Sequence, residues 1–282
     1  MYGKINMTEL NEQTTQKINR IIQNKEQGKE TIQEILKIFE EYFNITILYA
    51  AEGGSRAYGT HTENSDYDIK FIYMKNIEEY ISLNDQLQTI SWMDESETYD
   101  FIGYDLKKAL ILCKKSNPTF YEIASSLKTY VYSKFFEKIF FSRPALYTHY
   151  RGMLHSQFKK YHQDIMTESH VKKYLHLFRV YLQLDFMLKY NTYPPTSIET
   201  ILEYVENPQH AEIMEKLIQR KLLNEEELHI LNELFSSFLN NQPVNPSFIT
   251  DDIKSYHKSY DYFNSIFTYF VCEFSPEKII WR

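Results

Sequence analysis

Apolar residues recur at helical spacing through residues 8–44, change to short runs and alternations between residues 46 and 105, and return to helical spacing from Leu106 almost to the end. In GKETIQEILKIFEEYFN, Ile32, Ile35, Leu36, Phe39 and Phe43 fall on one helix face. ITILYA, residues 46–51, is a bounded apolar run and reads as a buried strand. GGSRAYGTHTENS follows as a loop with one helical turn at 55–59, and DYDIKFIYM, residues 66–74, alternates as a second strand. IEEYIS reads as a short helix, and QLQTISWM, DES and ETYDFIGY as a β-hairpin. LKKALILCKK is helical and stops before Asn117-Pro118, because a residue preceding proline disfavours the α region. Further helices are predicted at 119–126, 133–141, 144–165, 170–190, 208–222, 224–239 and 250–272. In the 170–190 segment, Val171, Tyr174, Leu175, Phe178, Tyr181 and Leu182 keep helical spacing until Pro194-Pro195 ends the run. The pattern predicts an α+β protein, with a small mixed sheet packed on helices over residues 1–133 and an all-helical region over 134–282.

Composition narrows the choice. The chain has 282 residues and 7 glycines, where average usage gives roughly 20, which excludes collagen, propellers and turn-rich sandwiches. Gly53, Gly54 and Gly59 nevertheless fall in one loop, AEGGSRAYG. A hydrophobic content of 43% with 24% charged residues is that of a globular protein rather than a disordered one. No apolar stretch approaches the ~20 residues of a membrane span, and the polar start MYGKINMTELNEQ shows no secretory h-region. Cys113 and Cys272 form no CxxC pair, which suits a reducing cytoplasm and gives no zinc site. The net charge of −7 excludes general DNA binding. Charge is uneven, however: residues 141–190 carry eight Lys/Arg against three Asp/Glu, and residues 191–242 carry nine Glu against three Lys/Arg. A phosphate-bearing ligand belongs near the first of these windows. Aromatics make up 16%, a figure that base-stacking surfaces or an AT-rich genome would each produce.

The chemistry concentrates in one stretch. Ten residues after Gly53-Gly54-Ser55 come Asp66-Tyr67-Asp68. On a strand the side-chain period of two puts Asp66 and Asp68 on one face, with Tyr67, Ile69, Phe71 and Tyr73 on the other. Paired carboxylates repel, and a divalent cation relieves the repulsion; few hard oxygen ligands suit Mg²⁺, which shares its coordination sphere with substrate phosphates. Gly53 and Gly54 allow close approach of the backbone to a ligand, and Ser55 adds a hydroxyl at the start of a helical turn. Gly54 and Gly59 have GxxxxG spacing, but Thr60-His61 follow where a P-loop requires Lys-Ser/Thr. GxGxxG, HExxH and HRD are absent from the sequence, and the Asp66–Lys70 stretch lacks an EF-hand's third ligand and glycine. The histidines show no i, i+4 pair in the 149–176 stretch and give no metal site.

Gly54-Ser55, the ten-residue gap and Asp66-x-Asp68 resemble the hallmark of the DNA polymerase β-type nucleotidyltransferase superfamily. The longer string GSRAYGTHTENSDYDIKFIY resembles a narrower group, the bacterial and phage nucleotidyltransferases of YcgL-like type. YDFIGYDLKKAL, NPTFYEIASS and VKKYLHLFRVYLQ followed by PP resemble that group's later segments, so the likeness spans residues 46–200, with Gly53 as a departure where a serine is expected. The resemblance implies a short sheet on helices with three carboxylates on neighbouring strands: Asp66, Asp68 and a third, for which Asp100 is preferred over Asp94, in a turn, and Asp105, a helix cap. It implies transfer of a nucleoside monophosphate from an NTP such as ATP to an acceptor hydroxyl, with two Mg²⁺ ions (or Mn²⁺) held by the three aspartates and release of pyrophosphate. Ser55 and the Gly53–Gly54 backbone then hold the β and γ phosphates, with Asp100 accepting a proton or positioning the second ion. Arg56 reads equally as a phosphate ligand or as the partner of a local acid. Lys172 and Arg179 share a helix face and would reach the phosphates, the alternative being a solvated face; Glu122 reads as orienting a basic residue or as a surface acid. The acceptor is left open among an RNA or tRNA end, a protein and a small molecule. A catalytically inactive nucleotide sensor or antitoxin-like regulator is the alternative function.

Overall fold

Changes of hydrophobic period along the chain coincide with changes of element. The computed structural model describes residues 10–83, 87–274 and 276–281; the polar stretch 1–9 and Gln86, at the start of the predicted hairpin, lie outside the described residues. Helices α1 (Glu12–Asn24) and α2 (Lys29–Phe43) precede β1 (Thr46–Glu52), the short α3 (Gly54–Tyr58), β2 (Tyr67–Met74) and α4 (Ile77–Tyr80). The hairpin β3 (Thr89–Met93) and β4 (Tyr99–Asp105) leads into α5 (Leu106–Lys114), α6 (Pro118–Ala124) and β5 (Thr129–Tyr132). The remainder is α7 (Arg143–Tyr161), α8 (Glu168–Tyr190), α9 (Ile198–Leu202), α10 (Pro208–Ile218), α11 (Glu225–Asn241), α12 (Tyr260–Thr268) and β6 (Ile280–Trp281).

The strands form one mixed sheet in the order β3-β4-β2-β1-β5-β6, in which β2 and β4 run parallel. One face, carrying Ile69, Phe71, Tyr73 and Phe101, packs on Ile32, Leu36 and Phe39 of α2. The other, carrying Leu48, Tyr49 and Ile72, opens an apolar cluster that continues through Leu106, Phe120, Tyr150 and Phe178 to Phe235 and Phe270 in the helical half. No helix among the described residues is long and apolar enough to cross a membrane.

Local chemistry explains several boundaries. Asp94 closes the β3–β4 turn, its Oδ1 accepting from the Tyr99 N–H at 2.6 Å while Glu97 takes φ 56°. Asp105 caps α5, accepting from the Lys107 N–H at 2.9 Å. Asn117-Pro118, which stops α5, also starts α6: Pro118 occupies the first turn and Asn117 accepts from the Thr119 N–H at 3.0 Å.

Three expectations are corrected. The chain after residue 133 is not wholly helical, because β6 returns to pair with β5 at Val131–Trp281 and Tyr132–Ile280. The helix predicted at 133–141 reduces to a 3₁₀ turn, Phe135–Lys138, entered through Lys134 at φ 59°, which an α-helix cannot accommodate. The helix predicted at 250–272 starts only at Tyr260, since Asp251 is held across the fold by Ser142 Oγ at 2.6 Å, the Arg143 N–H at 2.7 Å and Lys258 Nζ at 2.6 Å. Gly103 serves packing: a Cβ there would lie 2.3 Å from the ring of Phe71 on the neighbouring strand.

Candidate active site

The glycine loop is shaped around the second aspartate of β2. The Gly53 N–H donates to the Asp68 carbonyl at 2.7 Å, closing the loop onto the strand. Gly54 takes φ +58°, and a Cβ there would lie 1.7 Å from Asp68 Oδ2, so the carboxylate occupies space that any other residue would fill. Ser55 enters α3 with its Oγ buried and without a hydrogen-bond partner in the protein. Asp66 immediately precedes β2, and Asp66, Asp68 and Ser55 line one cavity of about 200 Å³.

Asp100 stands beside Asp68, paired with it in the parallel β2–β4 register. Between them lies a cation: Lys70 Nζ is 3.7 Å from Asp68 Oδ1 and 3.4 Å from Asp100 Oδ2. Burial raises the Asp68 carboxyl above the usual range; Lys70 opposes the rise, and Asp66, Asp100 and Glu52 add to it. Asp94 and Asp105 are engaged in the turn and the cap already described, and Asp105 also accepts from Tyr80 Oη at 2.9 Å.

The opposite wall comes from the helical half. Lys172, His176 and Arg179 project from one face of α8 into the cavity, and Arg220, just beyond α10, completes it. Arg179 is 2% exposed and donates to Glu122 Oε1 at 3.0 Å and Gln183 Oε1 at 3.1 Å, its guanidinium lying 3.7 Å over the Tyr58 ring. Tyr58 Oη donates to Glu122 Oε2 at 2.7 Å and Tyr150 Oη to Glu122 Oε1 at 3.0 Å, so one buried glutamate ties the glycine-loop helix to α7 and α8. Burial is the largest influence and works against the Arg179 charge, but Glu122, Tyr58 and Tyr150 together outweigh it and raise the group. His176, 3.5 Å from Arg179 Nη2 through Nδ1, is lowered by burial, then by Arg179, to about 4. It is therefore neutral at pH 7. Arg220 Nη2 donates to the Thr60 carbonyl at 2.9 Å; burial lowers it.

The structure thus brings Gly53, Gly54, Ser55, Asp66, Asp68, Asp100, Lys172 and Arg179 to one end of the sheet. Arg56 turns away from the cavity: its Nε donates to the Asp66 carbonyl at 3.1 Å and its Nη2 to the Ser65 carbonyl at 2.8 Å, with the guanidinium 3.8 Å over Tyr67. Sequence reasoning missed Lys70, His176 as a lining residue, and Arg220. The first two carry a signal, since Lys70 is two residues from Asp68 on the same strand face and His176 is one helical turn from both Lys172 and Arg179. Arg220 carries none: it sits 160 residues from Thr60 in the most acidic part of the chain.

A mixed sheet backed by helices, with a glycine loop folded onto a carboxylate-bearing strand, defines a protein of the nucleotidyltransferase class. Residues 28–261 match the family model described as RlaP, the RNA repair pathway DNA polymerase beta family, and the chain belongs to that family. It is 33% identical over 207 residues to the uncharacterized protein YcgL of Bacillus subtilis (strain 168), covering 70% of this chain and 78% of that one. A solved nucleotidyltransferase-like protein from Exiguobacterium sibiricum 255-15 is similar over 74% of each chain, at 10% identity and a TM-score of 0.32.

Proposed function

We propose that this chain transfers a nucleoside monophosphate from an NTP to a hydroxyl at an RNA end, releasing pyrophosphate. The observation that carries the reading is the division of the cavity: Asp66 and Asp68 on one wall, Lys172, Arg179 and Arg220 on the other, and the partnerless Ser55 hydroxyl beside them. Cations and a free hydroxyl suit a triphosphate; carboxylates suit the metal that accompanies it. The RNA acceptor follows from the family's description as an RNA repair pathway group. Residues 1–133 supply the carboxylates and glycine loop, and residues 134–282 the cations.

The side chains fit a divalent cation. Asp68 is half-buried within the field of Asp66, Asp100 and Glu52, and a protein ammonium already bridges Asp68 to Asp100. Among the described residues no three His, Cys, Asp or Glu side chains form a ready-made cage. Mg²⁺ needs no such cage, since it takes one or two carboxylates and completes its shell with phosphate oxygens and water. Asp66 and Asp68 would hold one ion and share a second with Asp100, and the ions would supply charge neutralisation at the phosphates and a lowered pKa for the acceptor hydroxyl. The chain's own part is positional. Lys172, Arg179 and Arg220 neutralise the β and γ phosphates, Ser55 Oγ and the bare Gly53–Gly54 backbone approach them closely, and Glu122 keeps Arg179 in place. The acceptor oxygen forms a bond to the α-phosphorus, the bond from that phosphorus to the α–β bridging oxygen breaks, and the hydroxyl proton passes to Asp100 or to solvent. The protein works where Mg²⁺ and NTPs are abundant, in the cytoplasm.

The test is transfer of label from α-³²P-NTPs to RNA ends with Mg²⁺, comparing the wild type with an Asp66→Ala/Asp68→Ala double variant. Equal labelling by the two sinks the mechanism. A second reading, a nucleotide-sensing regulator, is favoured by Lys70, whose ammonium bridges Asp68 and Asp100 where a metal would lie. It predicts NTP binding without transfer to any acceptor.

A further inference from the structure

We propose that a second groove, behind the glycine-loop helix, holds the backbone of the single-stranded RNA whose end is extended; this rests on the transfer reading above. The groove has a volume of about 500 Å³ and is lined by Lys29, Glu52, Arg56, Tyr67, Lys128 and Tyr130, among others. It opens at the same end of the sheet as the active-site cavity, where β1 ends at Glu52, β2 begins at Tyr67 and β5 begins at Thr129. Asp66 lines the first cavity and Tyr67 the second, so the chain between them is a shared wall, pinned by the Arg56 hydrogen bonds to Ser65 and Asp66. A strand lying in the groove therefore has its end beside the aspartates.

The lining is that of a polynucleotide backbone site. Lys29 is exposed, has no ion-pair partner among the described residues, and opens the 15-residue α2. The N-cap of α2 is Gly28, which offers no side-chain cap to the helix's free N–H groups. Lys128, 52% exposed, stands across from it, its Nζ 4.0 Å from Glu52 Oε2. The second observation is Glu52. It is 1% exposed, its Oε2 accepts from Tyr130 Oη at 2.7 Å, and its Oε1 has no hydrogen-bond partner, with Arg56 Nε 3.8 Å away. Arg56 at 3.8 Å and Lys128 at 4.0 Å share the Glu52 charge, so the groove keeps a net positive lining, with Lys29 and the exposed Lys128 ammonium facing phosphates. A buried acceptor without a donor calls for a hydroxyl, and the ribose 2′-OH is the group that RNA has and DNA lacks. Base stacking on Tyr67 is ruled out, because Arg56 covers one ring face at 3.8 Å and Tyr99 the other at 5.2 Å. The groove reads backbone and sugar, and with them RNA of any sequence.

The experiment is fluorescence anisotropy of a 5′-labelled single-stranded RNA across a salt series, without NTP, on wild type and a Lys29→Ala/Lys128→Ala variant. Both substitutions are at exposed positions, and thermal stabilisation by NTP with Mg²⁺ reports that the variant's transfer site is intact. Losing two phosphate contacts should make the salt slope shallower by about 1.4 and weaken binding at 0.1 M salt on the order of twentyfold. An unchanged affinity and slope, or no binding by the wild type, overturns the groove. Equal affinity for the 2′-deoxy strand overturns its assignment to RNA. Absence of transfer to every acceptor, with strand binding still weakened by the two substitutions, keeps the groove and removes the transfer reading; the converse removes the groove alone.

Discussion

Replacing Gly54 by alanine separates two costs that usually come together. At φ +58° an L-residue loses about 1–2 kcal/mol to left-handed strain. The added Cβ would also sit 1.7 Å from Asp68 Oδ2, whereas ordinary contact begins near 3.4 Å, so the carboxylate must retreat by about 1.7 Å. A displacement of that size in a positioned group costs about a hundredfold in rate or more. Gly59 is the matched control: φ is +75°, but the nearest atom to an added Cβ is Ser197 Oγ at 4.0 Å. Gly54→Ala and Gly59→Ala should therefore both lower Tm by about 2–8 °C, while the label-transfer rate collapses only in Gly54→Ala. The assay is thermal denaturation of both variants beside α-³²P-NTP transfer at saturating Mg²⁺. If Gly54→Ala keeps its rate within threefold of wild type, or Gly59→Ala loses as much, Asp68 is not the group whose placement matters and the site assignment fails.

Other consequences are as direct. Arg179→Met strands Glu122 as a buried charge and should cost about 3–5 kcal/mol in urea denaturation; a loss below 1 kcal/mol would remove Glu122–Arg179 as the tie between α6 and α8. His176 is neutral in the folded state down to about pH 4, while the unfolded chain protonates it near its ordinary value, so its contribution is present above about pH 6.5 and lost as pH falls from there toward 4. His176→Gln should flatten the fall of Tm across that window, and an unchanged slope counts against burial of a neutral imidazole. Lys70→Met leaves Asp68 and Asp100 facing each other without their bridging cation, so the variant should melt several degrees lower in EDTA and recover more of that loss with Mg²⁺ than wild type does. Arg220→Ala should raise KM for the NTP about tenfold with a small effect on stability, measured by transfer kinetics.

Legibility along the chain followed the range of the interactions involved. The β1–β2 strands, the hairpin and most helices were readable because each buries one regular stripe, and period two or 3.6 in the sequence is that stripe. The strand β5 was not: its four residues, flanked by helical patterns, become a strand only because β1 offers an edge at Ala50 and Ala51. The two-residue β6 exists for the same reason, its partners lying at Val131 and Tyr132. Arg56 shows the limit within the site itself. Its place in GSRAY marks it as a loop cation, but not whether it faces a phosphate or a local acid; the turn of α3 puts it 3.8 Å from Glu52 and on the carbonyls of Ser65 and Asp66.

What the sequence by itself determined was the chemistry of one wall: a glycine loop and two aspartates ten residues apart, related by local geometry that no distant residue alters. Only the tertiary structure decided how the rest of the site assembles around it. Asp100 joins Asp68 through a parallel register set by the sheet, and Arg220 reaches Thr60 from 160 residues away through the packing of α8 and α10. The reason is physical. A period is written in neighbouring residues, whereas the meeting of two surfaces depends on the sum of many weak apolar contacts, and no single residue along the chain records it.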